Sequence, residues 1–253
     1  MSQRLPSIFL VSCLVLLGTQ VFSVAYLSDR LAKLESQPSI DDAVKAAVVQ
    51  AQKDSDTRRS QLKLADLRES AKNAPEYNDE GLLYGHPDAR FSISVFTDIE
   101  CPYCRQMHGE LKRVVESSNG AVNWKIIHFP LGIHNPAAAI EAQALECVKE
   151  SYGNRTAWAF LDAMIEDTQG NGKGIDNLPD FGREMGLSGS AIQNCLNSDA
   201  HKDTINAGYQ RGVNAGITGT PAMIINDNST GRSSLVKQMQ NAQTIVQEIQ
   251  KLL

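Results

Sequence analysis

The chain has 253 residues, of which 42% are hydrophobic and 21% are charged, the composition of an ordinary globular protein. It is longer than one small domain requires, and it is long enough to bury a sizeable hydrophobic core. The formal net charge of -5 leaves no basic surface of the kind that binds nucleic acid, so no nucleic-acid partner is expected.

Residues 1–27 have the pattern of a targeting segment rather than of a folded domain. Arg4 precedes an apolar run that begins at Ile8. Ser23-Val24-Ala25 is a small-x-small site, so one interpretation is a secretory signal cleaved after Ala25. The other is an uncleaved membrane anchor over residues 8–27, because about twenty mostly apolar residues span a bilayer. Both interpretations place the remainder of the chain outside the cytosol, in the bacterial periplasm.

Residues 28–75 are predicted to form a helical stalk that ends before Pro75. Ser39, with Asp42 three residues later, is typical of a helix N-terminus. The apolar residues that follow form one narrow stripe, which comprises Ile40, Val44, Ala47, Val48 and Ala51. Such a stripe requires a partner, either the same segment of another subunit or the domain that follows, and we favour a homo-oligomer. A solvated spacer is the alternative.

The central motif lies between a predicted strand and a predicted helix. Alternating apolar and polar residues predict a strand over 91–96, and helical spacing predicts a helix over 105–117. Between them lies the loop Cys101-Pro102-Tyr103-Cys104. Cys101 would begin the helix, where unpaired N–H groups and the macrodipole stabilise a thiolate, and we expect its sulfur to be exposed. Cys104, one turn later, would displace whatever Cys101 has bonded, which predicts a dithiol/disulfide exchange centre.

A zinc site is the alternative use of these two cysteines. His108 would be a third ligand, but the sequence has no second Cys-x-x-Cys pair, and His108 lies about two helical turns from Cys101. A lone Cys-x-x-Cys gives only weak support to zinc. A purely structural disulfide is also disfavoured, because a bridge that closes so short a loop stabilises little.

A second motif, Gly219-Thr220-Pro221-Ala222, precedes a short apolar strand. Together with Phe-Thr-Asp-Ile-Glu-Cys-Pro-Tyr-Cys at 96–104, it resembles the thioredoxin-fold DsbA-like oxidoreductases, over about residues 81–253. The resemblance implies that Pro221 is a cis-proline facing the cysteines and that Thr220 and Pro221 bind the substrate. A cis X-Pro turn leaves nearby backbone groups available to pair with a peptide. An ordinary trans proline at the start of a strand is the alternative.

The resemblance implies an α/β thioredoxin fold over 76–253, with an inserted all-helical subdomain at about 137–214. Strand-helix-strand followed by strand-strand-helix is the order that this fold requires. After the central motif, we predict strands over 122–129, 223–226 and 233–236, and helices over 137–151, 155–166, 178–185, 189–214 and 242–253.

Cys147 and Cys195 lie within predicted helices of the insertion and have no cysteine partner at short spacing. In an oxidising compartment an unexplained pair of cysteines is usually bonded, so we predict a structural disulfide between them. Two buried free thiols are the alternative.

Several residues bear on the direction of the redox reaction. Asp98 and Glu100 are expected to oppose the thiolate of Cys101, which would make the Cys101–Cys104 bridge less oxidising. Tyr103 and Thr220 resemble the corresponding residues of the isomerising and reducing members of the family. His128 and His134 are candidates for tuning the site, although a histidine near a strand end is more often simply hydrogen-bonded.

The expected function is therefore that of a protein disulfide isomerase or reductase that acts on exported proteins with cysteines and exchanges electrons with a membrane redox partner. The stalk resembles that of the oligomeric, isomerase-like ScsC-like proteins. No metal or other cofactor is implied beyond the redox-active Cys101–Cys104 pair. The alternatives are a monomeric dithiol oxidase and a non-catalytic chaperone that binds peptides.

Overall fold

The computed structural model describes residues 26–30, 32–33, 39–76 and 81–253. Ala25 of the predicted cleavage site, and almost all of the anchor predicted over residues 8–27, lie outside these described residues. Within the described ranges, no helix has both the length and the apolar character needed to cross a bilayer. The chain divides into two units, Met1–Asp56 and Thr57–Leu253, and each is described by itself.

Helix α1 extends without interruption over Ile40–Ser70. It begins as predicted, because the Ser39 hydroxyl oxygen accepts a hydrogen bond from the Asp42 N–H at 3.1 Å. In the first unit the apolar stripe is open to solvent: Ile40, Val44 and Val48 retain 84%, 55% and 62% of their accessible area. This part of the helix therefore presents an unburied apolar face.

The last turns of α1 belong to the second unit and pack on its core. Leu64 and Leu67 contact the main hydrophobic cluster, and Ala71 in the following turn is fully buried. The Arg68 guanidinium donates to the Thr156 hydroxyl at 2.7 Å and to the Glu76 carboxylate at 2.5 Å. The compact unit thus begins near Thr57, because part of the segment assigned to the stalk supplies core side chains.

The second unit contains a five-stranded sheet in the order β1-β3-β2-β4-β5. Strands β2 and β3 are parallel, and the other neighbouring strands are antiparallel. Strand β1 was not predicted, because it is only four residues long and three of them are buried, so no alternation marks it. The strands are β1 Leu82–Gly85, β2 Phe91–Thr97, β3 Val122–His128, β4 Ala222–Asp227 and β5 Ser233–Val236.

A helical block lies between β3 and β4, as expected for the insertion. The predicted helix over 189–214 is wrong: it is two helices, because Asp199 adopts a left-handed conformation with φ 55° and ends the first of them. An aspartate is among the few residues that tolerate this conformation. The helices are α2 Pro102–Ser117, α3 Ala137–Tyr152, α4 Asn154–Asp167, α5 Leu178–Glu184, α6 Gly189–Ser198, α7 Lys202–Asn214 and α8 Ala242–Gln250.

An aromatic cluster joins the insertion to the sheet. Trp158 of α4 and Trp124 of β3 are almost completely buried, with ring centroids 4.7 Å apart in an edge-on arrangement. The Tyr84 ring of β1 lies 5.1 Å from Trp158. The insertion and the sheet therefore share one hydrophobic core.

Helix α7 approaches the sheet closely at Gly212. A Cβ at this position would lie 2.5 Å from the Phe129 ring. We expect Gly212→Ala to lower the free energy of unfolding by about 1–2 kcal/mol, because overpacking outweighs the gain in helix propensity. Denaturant titration measures the change.

Gly109→Ala in α2 is the matched control, since a Cβ there meets nothing within 4 Å. It should raise the free energy of unfolding by about 0.5–1 kcal/mol, because alanine is the better helix former. Equal stability changes in Gly109→Ala and Gly212→Ala would contradict the close contact between α7 and Phe129.

Candidate active site

The Cys-Pro-Tyr-Cys loop occupies the N-terminus of α2, directly after β2. Cys101 is the N-cap residue, with extended backbone angles, and Pro102 is the first helical residue, where its missing N–H has no consequence. Cys101 and Cys104 are both free thiols. Contrary to the expectation from sequence, Cys101 is only 4% exposed, whereas the neighbouring Tyr103 is 63% exposed.

The Thr220-Pro221 segment covers the sulfur of Cys101, which explains its burial. The peptide bond between Thr220 and Pro221 is cis. The Cys101 thiol donates to the Thr220 carbonyl oxygen, with a distance of 3.5 Å between Sγ and O. The structure thus brings together two motifs that are separated by more than one hundred residues in the sequence.

The pKa values of the two thiols are shifted in opposite directions. The pKa of Cys101 is lowered to about 5, chiefly because the Cys104 thiol donates a hydrogen bond to the Cys101 sulfur. Hydrogen bonds from Thr220 and from the N–H groups of Tyr103 and Cys104 lower this pKa further. Burial raises the pKa of Cys104 well above its usual value, and the neighbouring Cys101 sulfur raises it further. At neutral pH the site therefore holds one thiolate and one buried thiol.

The Thr220 hydroxyl is positioned to donate a hydrogen bond to the Cys101 thiolate. Its oxygen is buried and has no hydrogen-bond partner among the described residues. A hydroxyl in this position donates to the Cys101 sulfur once the thiol proton is lost, and this bond helps to lower the pKa of Cys101. Thr220 therefore stabilises the reactive form of the site.

The expected effect of Asp98 is not the dominant one. This carboxylate is 2% exposed, accepts the Leu131 N–H at 2.8 Å, and pairs with Nδ1 of His134 at 2.8 Å. The hydrogen bonds to the Cys101 sulfur outweigh its burial, so its pKa falls. That Asp98 and Glu100 make the Cys101–Cys104 bridge less oxidising stays a prediction. His134 thus orients Asp98 and does not contact a cysteine.

Glu100 forms a buried pair with Glu141, a residue that the sequence motifs did not single out. Glu100 accepts the Gly174 N–H at 2.9 Å and a hydrogen bond from the Thr168 hydroxyl. Burial and the charge of Glu100 raise the pKa of Glu141 to about 8, so Glu141 is mainly protonated at neutral pH. The signal in the sequence was an acid among the alanines of the predicted helix over 137–151, which proves to be buried.

The zinc alternative at the central motif finds no geometric support. Nε2 of His108 pairs with the Asp162 carboxylate at 2.7 Å, and the imidazole packs edge-on to Trp124 at 5.0 Å. His108 therefore faces α4 and the core. Among the residues that the structure describes, Cys101, Cys104 and His108 do not form a cluster of potential metal ligands.

Cys147 and Cys195 are joined by a disulfide that links α3 to α6 across 48 residues of sequence. The nearby His128 of β3 contacts Glu146 through Nε2 at 2.9 Å. His128 is thus simply hydrogen-bonded to Glu146 of the insertion, and this contact directs its Nε2 away from any role as a partner of the active-site cysteines.

The contribution of Cys104 to the acidity of Cys101 can be tested by a pair of substitutions. We expect Cys104→Ala to raise the pKa of Cys101 from about 5 towards its ordinary value, because the principal hydrogen-bond donor is lost. Cys104→Ser retains a donor in the same place and should leave the pKa much lower. The pH dependence of Cys101 alkylation measures both values, and equal pKa values in the two variants would contradict this origin of the shift.

Comparison with known proteins agrees with this geometry. A family model described as thioredoxin matches residues 77–243. The thiol:disulfide interchange proteins DsbC of Dickeya dadantii and Salmonella typhimurium are 30% and 28% identical to the chain, each over 149 residues. These matches cover 59% and 58% of this chain and 48% of each relative, so the chain matches about half the length of these curated relatives.

Two solved structures show the same fold. Pseudomonas aeruginosa DsbA2 has a TM-score of 0.62 and 31% identity, over 68% of this chain and 93% of that protein. Salmonella enterica Typhimurium BcfH has a TM-score of 0.60 over 97% of this chain and 98% of its own, and its 16% identity supports the fold alone. The predicted thioredoxin fold with a helical insertion is therefore confirmed.

Proposed function

The chain belongs to the thioredoxin family, and on this premise we propose that it is a periplasmic thiol:disulfide oxidoreductase that isomerises or reduces disulfides of exported proteins. The observation that carries the proposal is the asymmetric pair of thiols at the start of α2. Cys101 has a pKa of about 5 and is ionised at neutral pH, whereas Cys104 is buried and remains a thiol. An ionised nucleophile beside a protonated resolving thiol is what thiol–disulfide exchange requires.

In the first step, the Cys101 thiolate attacks a sulfur of the substrate disulfide. A mixed disulfide forms between Cys101 and the substrate, and the other substrate sulfur leaves as a thiolate. In isomerisation, a substrate thiolate then attacks the mixed disulfide, forms a new substrate disulfide and restores the Cys101 thiolate. Electrons are thus neither gained nor lost by the protein over the cycle.

In reduction, Cys104 loses its proton and attacks the Cys101 sulfur. This step releases the substrate with two thiols and leaves a Cys101–Cys104 disulfide, which a membrane redox partner would reduce. Burial opposes ionisation of Cys104, so this resolving step is slowed. A long-lived mixed disulfide gives the substrate time to rearrange, which favours isomerisation.

The surroundings of Cys101 suit an extended peptide. The Thr220-Pro221 segment lies against the sulfur, and we assign Thr220 and Pro221 to substrate binding. Tyr103, in the same loop as Cys101, is 63% exposed. An aromatic ring so placed gains contact area when a substrate strand covers the site.

Assays with reduced and with scrambled ribonuclease distinguish the isomerase, the dithiol oxidase and the chaperone. We expect the reduced protein, in catalytic amounts, to restore the activity of scrambled ribonuclease. Oxidation of reduced ribonuclease by the Cys101–Cys104 disulfide, without recovery from the scrambled form, would indicate the dithiol oxidase. Peptide binding that survives Cys101→Ala in a protein without exchange activity would indicate the chaperone.

We also propose that the chain self-associates through the stalk over residues 28–75, as in the ScsC-like proteins that it resembles. Support comes from the exposed stripe of α1, where Ile40, Val44 and Val48 have little burial. Apolar residues at this spacing are buried when two or more such helices pair. Several active sites would then face one misfolded substrate.

The mass of the protein in solution tests the association. Residues 28–56 should be deleted rather than the whole stalk, because Leu64 and Leu67 belong to the core of the second unit. We expect an oligomer for the full chain and a monomer for both the deletion and Val48→Glu. Gln50→Glu is the control on another face of α1, and a monomeric full chain would overturn the proposal.

A further inference from the structure

The disulfide of the helical insertion lies beside a histidine that the proposed mechanism does not use. A ring nitrogen of His201 and the sulfur atoms of Cys147 and Cys195 all lie within 4.8 Å of one another. Among the described residues, this is a cluster of three side chains that each offer a metal ligand. Two of the three are sequestered in the disulfide as long as that bond is intact.

The local backbone explains how these side chains meet. Asp199, in its left-handed conformation, ends α6 and turns the chain, and His201 is the N-cap residue of α7. The turn brings His201 back towards Cys195, six residues earlier in the sequence. Cys147 approaches from α3, where Glu150 lies about one helical turn further on.

Glu150 fixes the orientation of the imidazole. Its carboxylate lies 3.1 Å from Nε2 of His201. A carboxylate that accepts the Nε2–H leaves Nδ1 with its lone pair, which is the tautomer that binds a metal. This contact is the outer-sphere interaction that metal-binding histidines usually make.

We propose that Cys147, Cys195 and His201 form a zinc site when their disulfide is reduced. Zinc is bound tetrahedrally by thiolate and imidazole, with ligand atoms about 3.4–3.8 Å apart given bond lengths of about 2.0–2.3 Å. When the disulfide is reduced the two sulfur atoms are free to move apart, and the imidazole nitrogen, already within 4.8 Å of both, reaches this range by side-chain rotation. Water would complete the coordination, and the proposal is independent of the activity assigned to Cys101.

The Cys147–Cys195 disulfide must be reduced before zinc can bind. A dithiol reductant attacks the Cys147–Cys195 bond, is itself oxidised to a disulfide, and leaves two thiols on the protein. Zinc then displaces one proton from each thiol, and these two protons pass to solvent. The oxidation state of zinc does not change, so the two electrons supplied by the dithiol balance the reaction.

Both the reductant and the metal have a route to the site. Cys195 is partly exposed, in contrast to Cys147, so it is the sulfur open to attack. His201 and Glu150 line a surface cavity of about 880 Å³, which His128, Glu146 and Lys149 also line. An open path of this kind is one of the requirements of a metal site.

The test uses the full chain with Cys13→Ser, Cys101→Ser and Cys104→Ser, so that Cys147 and Cys195 are the only cysteines. Cobalt(II) serves as the spectroscopic probe, and zinc is then added to displace it. We expect one equivalent of cobalt to bind to the reduced protein, with thiolate-to-cobalt charge-transfer and tetrahedral ligand-field bands. The oxidised protein should bind none.

Variants identify the ligands. His201→Gln should weaken zinc binding by at least 10-fold, and Glu150→Gln by about 10-fold, since outer-sphere contacts typically contribute 10- to 100-fold. His86→Gln is the matched control and should bind as the parent does. Equal affinity in His201→Gln and the parent would overturn the assignment, as would the absence of cobalt bands in the reduced parent.

Thermal unfolding distinguishes zinc binding by the folded protein from zinc binding by the unfolded chain. Zinc should raise the Tm of the reduced parent and leave the Tm of the oxidised parent unchanged, because only the folded reduced protein presents the site. A fall in the Tm of the reduced parent on addition of zinc would show binding to the unfolded state and would overturn the proposal.

Discussion

Replacement of Cys101 by serine is expected to reduce disulfide exchange to the rate observed without protein. A serine hydroxyl is not ionised at neutral pH, and it cannot form the mixed disulfide on which each step depends. Cys104 does not replace it, because burial raises its pKa and keeps it protonated. Recovery of scrambled ribonuclease measures the loss, and substantial residual activity in Cys101→Ser would overturn the assignment of the nucleophile.

The matched variant is Cys104→Ser, which should still attack substrates through Cys101. Because the resolving thiol is absent, mixed disulfides with substrate should accumulate and be visible on non-reducing gels. Cys101→Ser should trap none. Accumulation of the same species in both variants would indicate that a cysteine other than Cys101 makes the attack.

The pH dependence of alkylation by iodoacetamide reports the same thiolate. In the reduced wild type, labelling of Cys101 should reach half its maximal rate near pH 5, the pKa of this group. The folded-state pKa lies below the ordinary value of 9.0. Ionisation therefore stabilises the reduced fold at high pH, and this contribution is lost as the pH falls towards 5. Half-labelling near pH 9 would contradict the low pKa.

Glu141 should make stability depend on pH in the opposite sense. Its folded-state pKa of about 8 lies above its ordinary value of 4.5, so the folded protein holds a proton that the unfolded chain releases. This contribution is complete below pH 4.5 and is lost as the pH rises towards 8. In this interval, the expected slope is about 1.4 kcal/mol per pH unit in the free energy of unfolding.

The substitution Glu141→Gln should remove this slope, because an amide donates to Glu100 without titrating. The measurement requires oxidised protein, in which Cys101 does not titrate, and compares denaturant unfolding of wild type and variant at several pH values. Glu184→Gln on the surface of α5 is the control and should retain the wild-type slope. Parallel pH profiles of wild type and Glu141→Gln would refute a buried, protonated Glu141.

Local sequence determined the features that depend on neighbouring residues in the chain. The predicted strand before Cys101, the helical spacing after Cys104 and Pro102 between them were enough to predict both thiols at the start of a helix. Ser39 and Asp42 marked the start of α1 because a helix cap involves residues only three positions apart. Most element boundaries followed in the same way, from short-range hydrophobic spacing.

Tertiary structure alone decided the features that depend on distant residues. The pKa of Glu141 is set by burial and by Glu100, 41 positions away, and no local pattern encodes that contact. The left-handed Asp199 and the fold of α3 bring His201 to the Cys147–Cys195 disulfide. Burial, charge and ligand geometry arise from packing between elements, and for this reason spacing along the chain did not reveal them.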